Sequence, residues 1–210
     1  MEKVKADFLL DYLESLHSDA KCALDYNNDF ELFIAIILSA QTTDKAVNKV
    51  TKELFLEFPT IKDLSLADKE KIETIIKQIG LYKNKTNNII NLSKKLIADG
   101  YDKIPNDPEY LITLPGVGRK TVNVFLSEYY NMNTFGVDTH IARISKRLNL
   151  ALENDSTLNI EKKLVKYFSG FEFKRVHHLL IFFGRYDCKA TNPNCENCLL
   201  KKYCKYYKNR

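Results

Sequence analysis

The chain has 210 residues, 45% apolar and 28% charged, with a net charge of +5 and a pI ≈ 8.8. This is the make-up of a globular protein of one or two domains, which excludes a fibrous or disordered chain. The longest apolar run, Phe30 to Ala40 broken by Glu31, is too short to cross a bilayer, so no membrane partner is expected. The basic excess suits a polyanion.

Met1–Asp7 leads into an amphipathic segment rather than a secretory leader. Four of the five cysteines fall in the last 23 residues, which in an intracellular chain argues for metal rather than disulfides. A cytoplasmic protein is expected, nucleoid-associated if bacterial. Cys22 stands alone and reads as a core residue.

Glycines and prolines fall between periodic segments and nothing reads as a strand, so the prediction is all-α. Lys5 to His17 is the first helix. Asn28-x-x-Glu31 has the pattern of a capping box and opens the most apolar segment, Phe30 to Leu38, expected as the central buried helix. Asp44 is placed to cap the next helix, Lys45 to Phe58. Between them, Gln41 has a donor and an acceptor on a short stem, enough to enter a base stack or serve as an ordinary loop residue. Asp68 to Ile79 is expected to be helical and to stop at Gly80. Leu81 follows at the tip, where it can wedge between bases or tuck into the core. Asn84 to Ala98 is the next helix.

Asp107-Pro108-Glu109 starts a short helix that enters Leu114-Pro-Gly-Val-Gly-Arg-Lys120. A second helix follows, with Val122, Phe125, Leu126 and Tyr129 on one face, so the pair forms a helix-hairpin-helix. Gly116 and Gly118 let the backbone turn tightly with φ > 0 and approach a ligand, and the unpaired amides at the helix start suit a phosphate. Lys120, beside Arg119 and about three residues into the helix, is a nucleophile only if its pKa falls by about three units. That is more than a helix dipole supplies, so burial is expected to do most of it. The plainer role is a surface lysine against phosphate.

Asp138 precedes Thr139-His140 and a helix marked by Ile141, Ile144 and Leu148, where it reads as an N-cap. A carboxylate fixed in that way is kept ionised and aimed. Two further helices are expected near Thr157–Phe168 and Phe173–Gly184, the latter with Lys174, Arg175, His177, His178 and Arg185 on its polar surface. The adjacent histidines cannot both face one metal. Cys188-x6-Cys195-x2-Cys198-x5-Cys204 suits tetrahedral zinc or a [4Fe–4S] cluster equally by spacing, with disulfides a distant third.

Taken together, Leu114–Lys120, Val137-Asp-Thr-His140, Leu38-Ser-Ala-Gln-Thr-Thr-Asp44, Ile79-Gly-Leu-Tyr82 and the cysteine spacing resemble endonuclease III, the iron-sulfur branch of the helix-hairpin-helix DNA glycosylases. The resemblance runs essentially end to end. It implies a two-lobed all-α fold: a helical barrel lobe over residues 22–132, and a discontinuous lobe from 1–21 and 133–210 carrying a [4Fe–4S] loop at 188–204. It implies a monomer acting on damaged double-stranded DNA, a DNA glycosylase with class I AP lyase activity that removes oxidised pyrimidines in base excision repair. Lys120 then matches the family's nucleophile and Asp138 its assisting carboxylate. Gln41 fills the gap left by the flipped nucleotide and Leu81 wedges the opposite strand. Gly116, Gly118, Arg119 and His140 contact DNA, and Cys188, Cys195, Cys198 and Cys204 hold the cluster. Related adenine and thymine glycosylases lack the lysine. A non-catalytic DNA-binding module is the competing class, and it has no need of Lys120 and Asp138 together.

Overall fold

The computed structural model describes residues 3–209, so Met1, Glu2 and Arg210 at the ends of the expected lobe lie outside it. In chain order the helices are α1 (Ala6–Leu16), α2 (Asp29–Leu38), α3 (Asp44–Glu57), α4 (Ile61–Ser65), α5 (Lys69–Ile76), α6 (Tyr82–Ala98), α7 (Pro108–Leu111) and α8 (Arg119–Tyr130). They continue with α9 (Thr139–Arg147), α10 (Thr157–Tyr167), α11 (Phe173–Tyr186), a 3-10 turn (Lys201–Tyr203) and α12 (Lys205–Lys208). No strand occurs among the described residues.

The chain divides into two units, Ala23–Met132 and Met1–Cys22 with Asn133–Arg210. Cys22, expected to begin the first of these, groups with the second and is half-exposed rather than in the core.

In Ala23–Met132, α2 is buried from Phe30 to Leu38 save the partly covered Glu31, and packs against α3, α6 and α8. A helix apolar on nearly every side can only lie inside, and each fully buried Leu, Ile or Phe contributes about 1.5–3 kcal/mol. The Asn28 side chain accepts the Glu31 amide at 2.9 Å. Glu31 returns to the amide of Asn27 at 2.7 Å, one residue before the cap, so the box is offset from the reciprocal form expected. Thr43, not Asp44, caps α3, accepting from the Ala46 amide. A hydroxyl and a carboxylate side by side cap equally well by type, and the chain chooses the one with extended backbone.

The helix α5 ends at Ile76, not Ile79, and Gly80 is not the left-handed stop. Leu81 takes that conformation instead, at φ 59°. Buried Asp29 accepts the Ile104 amide at 2.7 Å while Tyr130 donates to the Ile104 carbonyl at 2.6 Å. Both peptide groups of Ile104 are thus held, which anchors the segment that leads into α7.

In the other unit, α11 packs on α1 and α9, and α9 also meets α10 and α12. Its core includes Leu9, Leu13, Phe135, Ile141, Ile144, Leu164, Phe168, Leu179 and Phe183. Arg175 is not a free surface cation: it forks onto Glu14 and donates to the carbonyls of Ala20 and Ser18, which fixes the exit of α1.

Candidate nucleic-acid interface and metal centre

The hairpin is built as its sequence dictates. Asp107 caps α7, accepting the amides of Glu109 and Tyr110, and Pro108 sits at the first helical position. The turn closes through Val117 N–H to the Leu114 carbonyl at 3.1 Å, with Leu114 and Val117 buried beneath it. Gly116 takes φ +76°, and a Cβ there would lie 2.4 Å from Asn88 Nδ2 and 2.7 Å from Asn88 Cβ. Both reasons for glycine hold at this position.

Gly118 differs from expectation. Its φ is −108°, which any residue tolerates, and a Cβ would meet nothing within 4 Å. What it leaves is open space at the N-cap of α8, where no side chain caps the first-turn amides.

Lys120 is the second residue of α8, nearer the end than expected, and it is exposed. The burial that the sequence reading required is therefore not supplied by the protein itself. The physical reason is the helix face: Val122, Phe125 and Leu126 point inward and leave the first turn outside. Arg119 is exposed beside it.

Gln41 and Leu81 are both exposed and both left-handed, at φ 55° and 59°. For a non-glycine residue this backbone costs on the order of 1 kcal/mol or more, so two such positions mark a built feature. Leu81 keeps 56% of its surface in solvent, so of the two readings of its sequence the core position is excluded.

In the other unit, Asp138 is the N-cap of α9, accepting the Ile141 amide at 2.8 Å, and is half-buried. His140, the second residue of α9, shares a 3.1 Å contact between Nδ1 and Arg143 Nη2. His177 Nδ1 lies 3.0 Å from the Gly136 carbonyl, a structural tie just ahead of Asp138. Gly184 of α11 allows close packing on α9, since a Cβ would fall 2.7 Å from His140 Cβ.

The four C-terminal cysteines all line one cavity of about 90 Å³, together with Tyr12 and Arg147. That is several times the roughly 10–15 Å³ a single water needs. Among the described residues no three His, Cys, Asp or Glu side chains are grouped to hold a single ion. The sulfurs collect donors: Arg147 Nη1 lies 3.2 Å from Cys188 Sγ, and Cys198 receives the Leu200 amide and the Tyr12 hydroxyl. Burial pushes both thiols up, with those donors pulling against it. The same burial raises the Tyr12 phenol to about 12, keeping it a donor.

Three residues escaped the sequence reading: Arg147, Asn88 and Lys85. Lys85 is 4% exposed and its Nζ donates to Thr42 Oγ1 at 2.8 Å. A signal existed, because Lys85 falls in register with Ile89, Leu92 and Leu96 on the buried stripe of α6.

Comparison with known proteins gives a consistent picture. The sequence profile of the family described as HhH-GPD superfamily base excision DNA repair protein matches residues 34–169. Endonuclease III of Bacillus subtilis is 44% identical over 199 residues, 95% of this chain and 91% of that one. Endonuclease III of Escherichia coli is 39% identical over 207 residues, 98% and 97% of the two. A trapped endonuclease III–DNA covalent intermediate, 45% identical, superposes with a TM-score of 0.93 over 97% of this chain and 96% of that chain. A thermostable thymine-DNA glycosylase, 21% identical, shares the fold with a TM-score of 0.87 over 97% of each chain.

Proposed function

The chain belongs to the HhH-GPD superfamily and within it to the endonuclease III family, and from that membership we propose a bifunctional DNA N-glycosylase/AP lyase that removes oxidised pyrimidines from duplex DNA. One observation carries the reading: a lysine stands just past the hairpin turn in a chain that matches, over nearly all its length, a relative trapped covalently on DNA. A DNA-binding module has no need of that lysine and Asp138 together.

Lys120 is assigned as the nucleophile. Attack needs the neutral amine, and because Lys120 is exposed the water around it has to be displaced by the bound substrate. The amine attacks C1′, the C1′–N bond breaks, and the base leaves with the bonding pair. Loss of the amine proton and opening of the sugar give an iminium, which acidifies the C2′ proton. Removal of that proton expels the 3′ phosphate by β-elimination and cuts the strand.

Asp138 is assigned to stabilise the positive charge that develops on the sugar, its carboxyl group aimed by the capping bond from Ile141. Gly116, Gly118 and Arg119 are assigned to phosphates, with His140 a further contact to the strand, giving affinity without sequence choice. Gln41 fills the gap of the flipped nucleotide and Leu81 parts the opposite strand. Flipping is cheapest where damage has already weakened pairing.

Cys188, Cys195, Cys198 and Cys204 are assigned as ligands of a [4Fe–4S] cluster. The shared cavity and the N–H and O–H donors on sulfur suit that group. When bound, it supplies iron–thiolate cross-links that staple the loop. Arg147 and Tyr12 orient the sulfurs. The partner is damaged duplex DNA and the protein acts as a monomer in the cytoplasm.

The test is to incubate purified protein with a duplex carrying one thymine glycol, add borohydride, and look for a covalent protein–DNA band beside Lys120→Ala. A band in the wild type alone is expected. Base release without a band would make the enzyme monofunctional, and binding without either would favour the non-catalytic module.

A further inference from the structure

A buried lysine with no carboxylate needs a reason. Lys85 is 4% exposed, and burial alone is what lowers its pKa. No acidic side chain pairs with it among the described residues; its ammonium meets only the Thr42 hydroxyl, at 2.8 Å. An apolar residue would fill this place on α6 at less cost in desolvation.

The bonds around Lys85 show what it joins. A lysine only donates, so Thr42 Oγ1 accepts and directs its own proton to the Ala40 carbonyl, at 3.3 Å. Ala40 and Thr42 flank Gln41, so this relay closes the turn at whose apex Gln41 is held left-handed. The backbone of Lys85 holds the second loop: its amide donates to the Leu81 carbonyl at 3.0 Å, the first bond of α6 after the left-handed Leu81. The loops also lie close together, since a Cβ built on Gly80 would come within van der Waals range of the Gln41 carbonyl, at 3.8 Å. The Lys85 side chain thus ties the Gln41 turn to the same first turn of α6 whose backbone bond holds Leu81.

We propose that Lys85 is a positioning residue for strand opening, bracing Gln41 and Leu81 so that they enter the duplex as one preformed two-pronged wedge. This rests on the assignment of Gln41 and Leu81 made above. Because the ammonium is covered, Lys85 acts through the loops rather than by touching phosphate. Strain at the two tips is borne before DNA arrives, so insertion costs no loop ordering.

The experiment compares two substrates under single turnover: a duplex with one thymine glycol, which must be opened, and a single strand with one abasic site, which offers nothing to flip. Lys85→Met keeps the length and removes the donors; Thr42→Val removes the acceptor and stands in if Lys85→Met folds poorly. Each is expected to lose at least about tenfold more on the duplex than on the single strand. The double variant should be no worse than the poorer single one, since both break the same link. Equal losses on both substrates, no loss on either, or additive losses would overturn the proposal.

Two controls separate its failure from that of the underlying assignment. If Gln41→Ala and Leu81→Ala keep the full duplex rate, the wedge assignment fails and the brace with it. If they lose the rate and Lys85→Met does not, the brace alone fails. A salt slope for duplex binding that drops by about one in Lys85→Met would make Lys85 a phosphate ligand and overturn the bracing role.

Discussion

Arg147 and Cys188 are joined at the sulfur and along the chain that follows it. The guanidinium lies 3.2 Å from Cys188 Sγ, donates to the Lys189 carbonyl at 2.7 Å and the Ala190 carbonyl at 3.2 Å, and stacks 4.0 Å from the centre of the Tyr206 ring. One side chain from the last turn of α9 therefore fixes where the cysteine loop begins. Lysine cannot reproduce this fork. Arg147→Lys is expected to destabilise the protein by about 1–2 kcal/mol, because two carbonyls and a sulfur in a part-buried site lose their donors. The check is thermal unfolding of the purified protein as isolated, together with the rate at which a chelator bleaches any absorption of the proposed cluster.

Gly116 and Gly118 separate two roles that the Pro-Gly-Val-Gly pattern assigns to both. Gly116→Ala meets Asn88 at 2.4 Å in a left-handed backbone, and is expected to cost about 1–3 kcal/mol in urea unfolding. Gly118→Ala has open space and an ordinary φ, so its stability should move by less than about 0.5 kcal/mol. Its affinity for abasic duplex should nevertheless fall, if the open space is where a phosphate approaches. An unchanged affinity would assign Gly118 to the turn alone.

Gly184→Ala tests the seating of α9. The added methyl would lie 2.7 Å from His140 Cβ, not at the end of a flexible chain, so the helix must shift. A loss of about 1–3 kcal/mol is expected from overpacking. Because Asp138 caps the same helix, turnover should fall more than DNA affinity does; comparing single-turnover rate with Kd in the same variant decides the point.

Glu14 gives a pH dependence with a definite sign. Hydrogen bonds from Arg175 hold its carboxyl below the ordinary value of 4.5. A lowered folded pKa means stability that is complete above pH 4.5 and lost as pH falls through the depressed value. The side chain is 41% exposed, so the effect is modest and screened by salt. Glu14→Gln should flatten the acid side of the Tm–pH profile below pH 4.5, and a parallel profile would assign that acid loss to other carboxylates.

What could be read in the sequence was local chemistry. Asn28, Asp107 and Asp138 cap helices where their spacing placed them, because a cap bonds two or three residues ahead. The hairpin followed from proline and glycine for the same reason. α4 was missed, since five residues carry too little period to register. The exposure of Lys120 was misjudged because the argument fixed what its chemistry needs, not which way the first turn of α8 faces. Lys85 with Thr42, Arg147 with Cys188, and Arg175 with Glu14 join residues 41 or more apart, save none that local pattern reports. Long-range donors are legible only once the fold has brought them together.

The unit that carries the cysteine loop is made from both ends of the chain. Its first helix, α1, packs on α11, while Ala23–Met132 forms a unit between them. On the ribosome, α1 therefore emerges before Ala23–Met132, and its partner α11 only after it. At about 5–20 residues per second, Ala23–Met132 has several seconds or more to fold while α1 waits with an unburied apolar face. The cysteine loop follows α11 in the chain, so it too is synthesised only after Ala23–Met132.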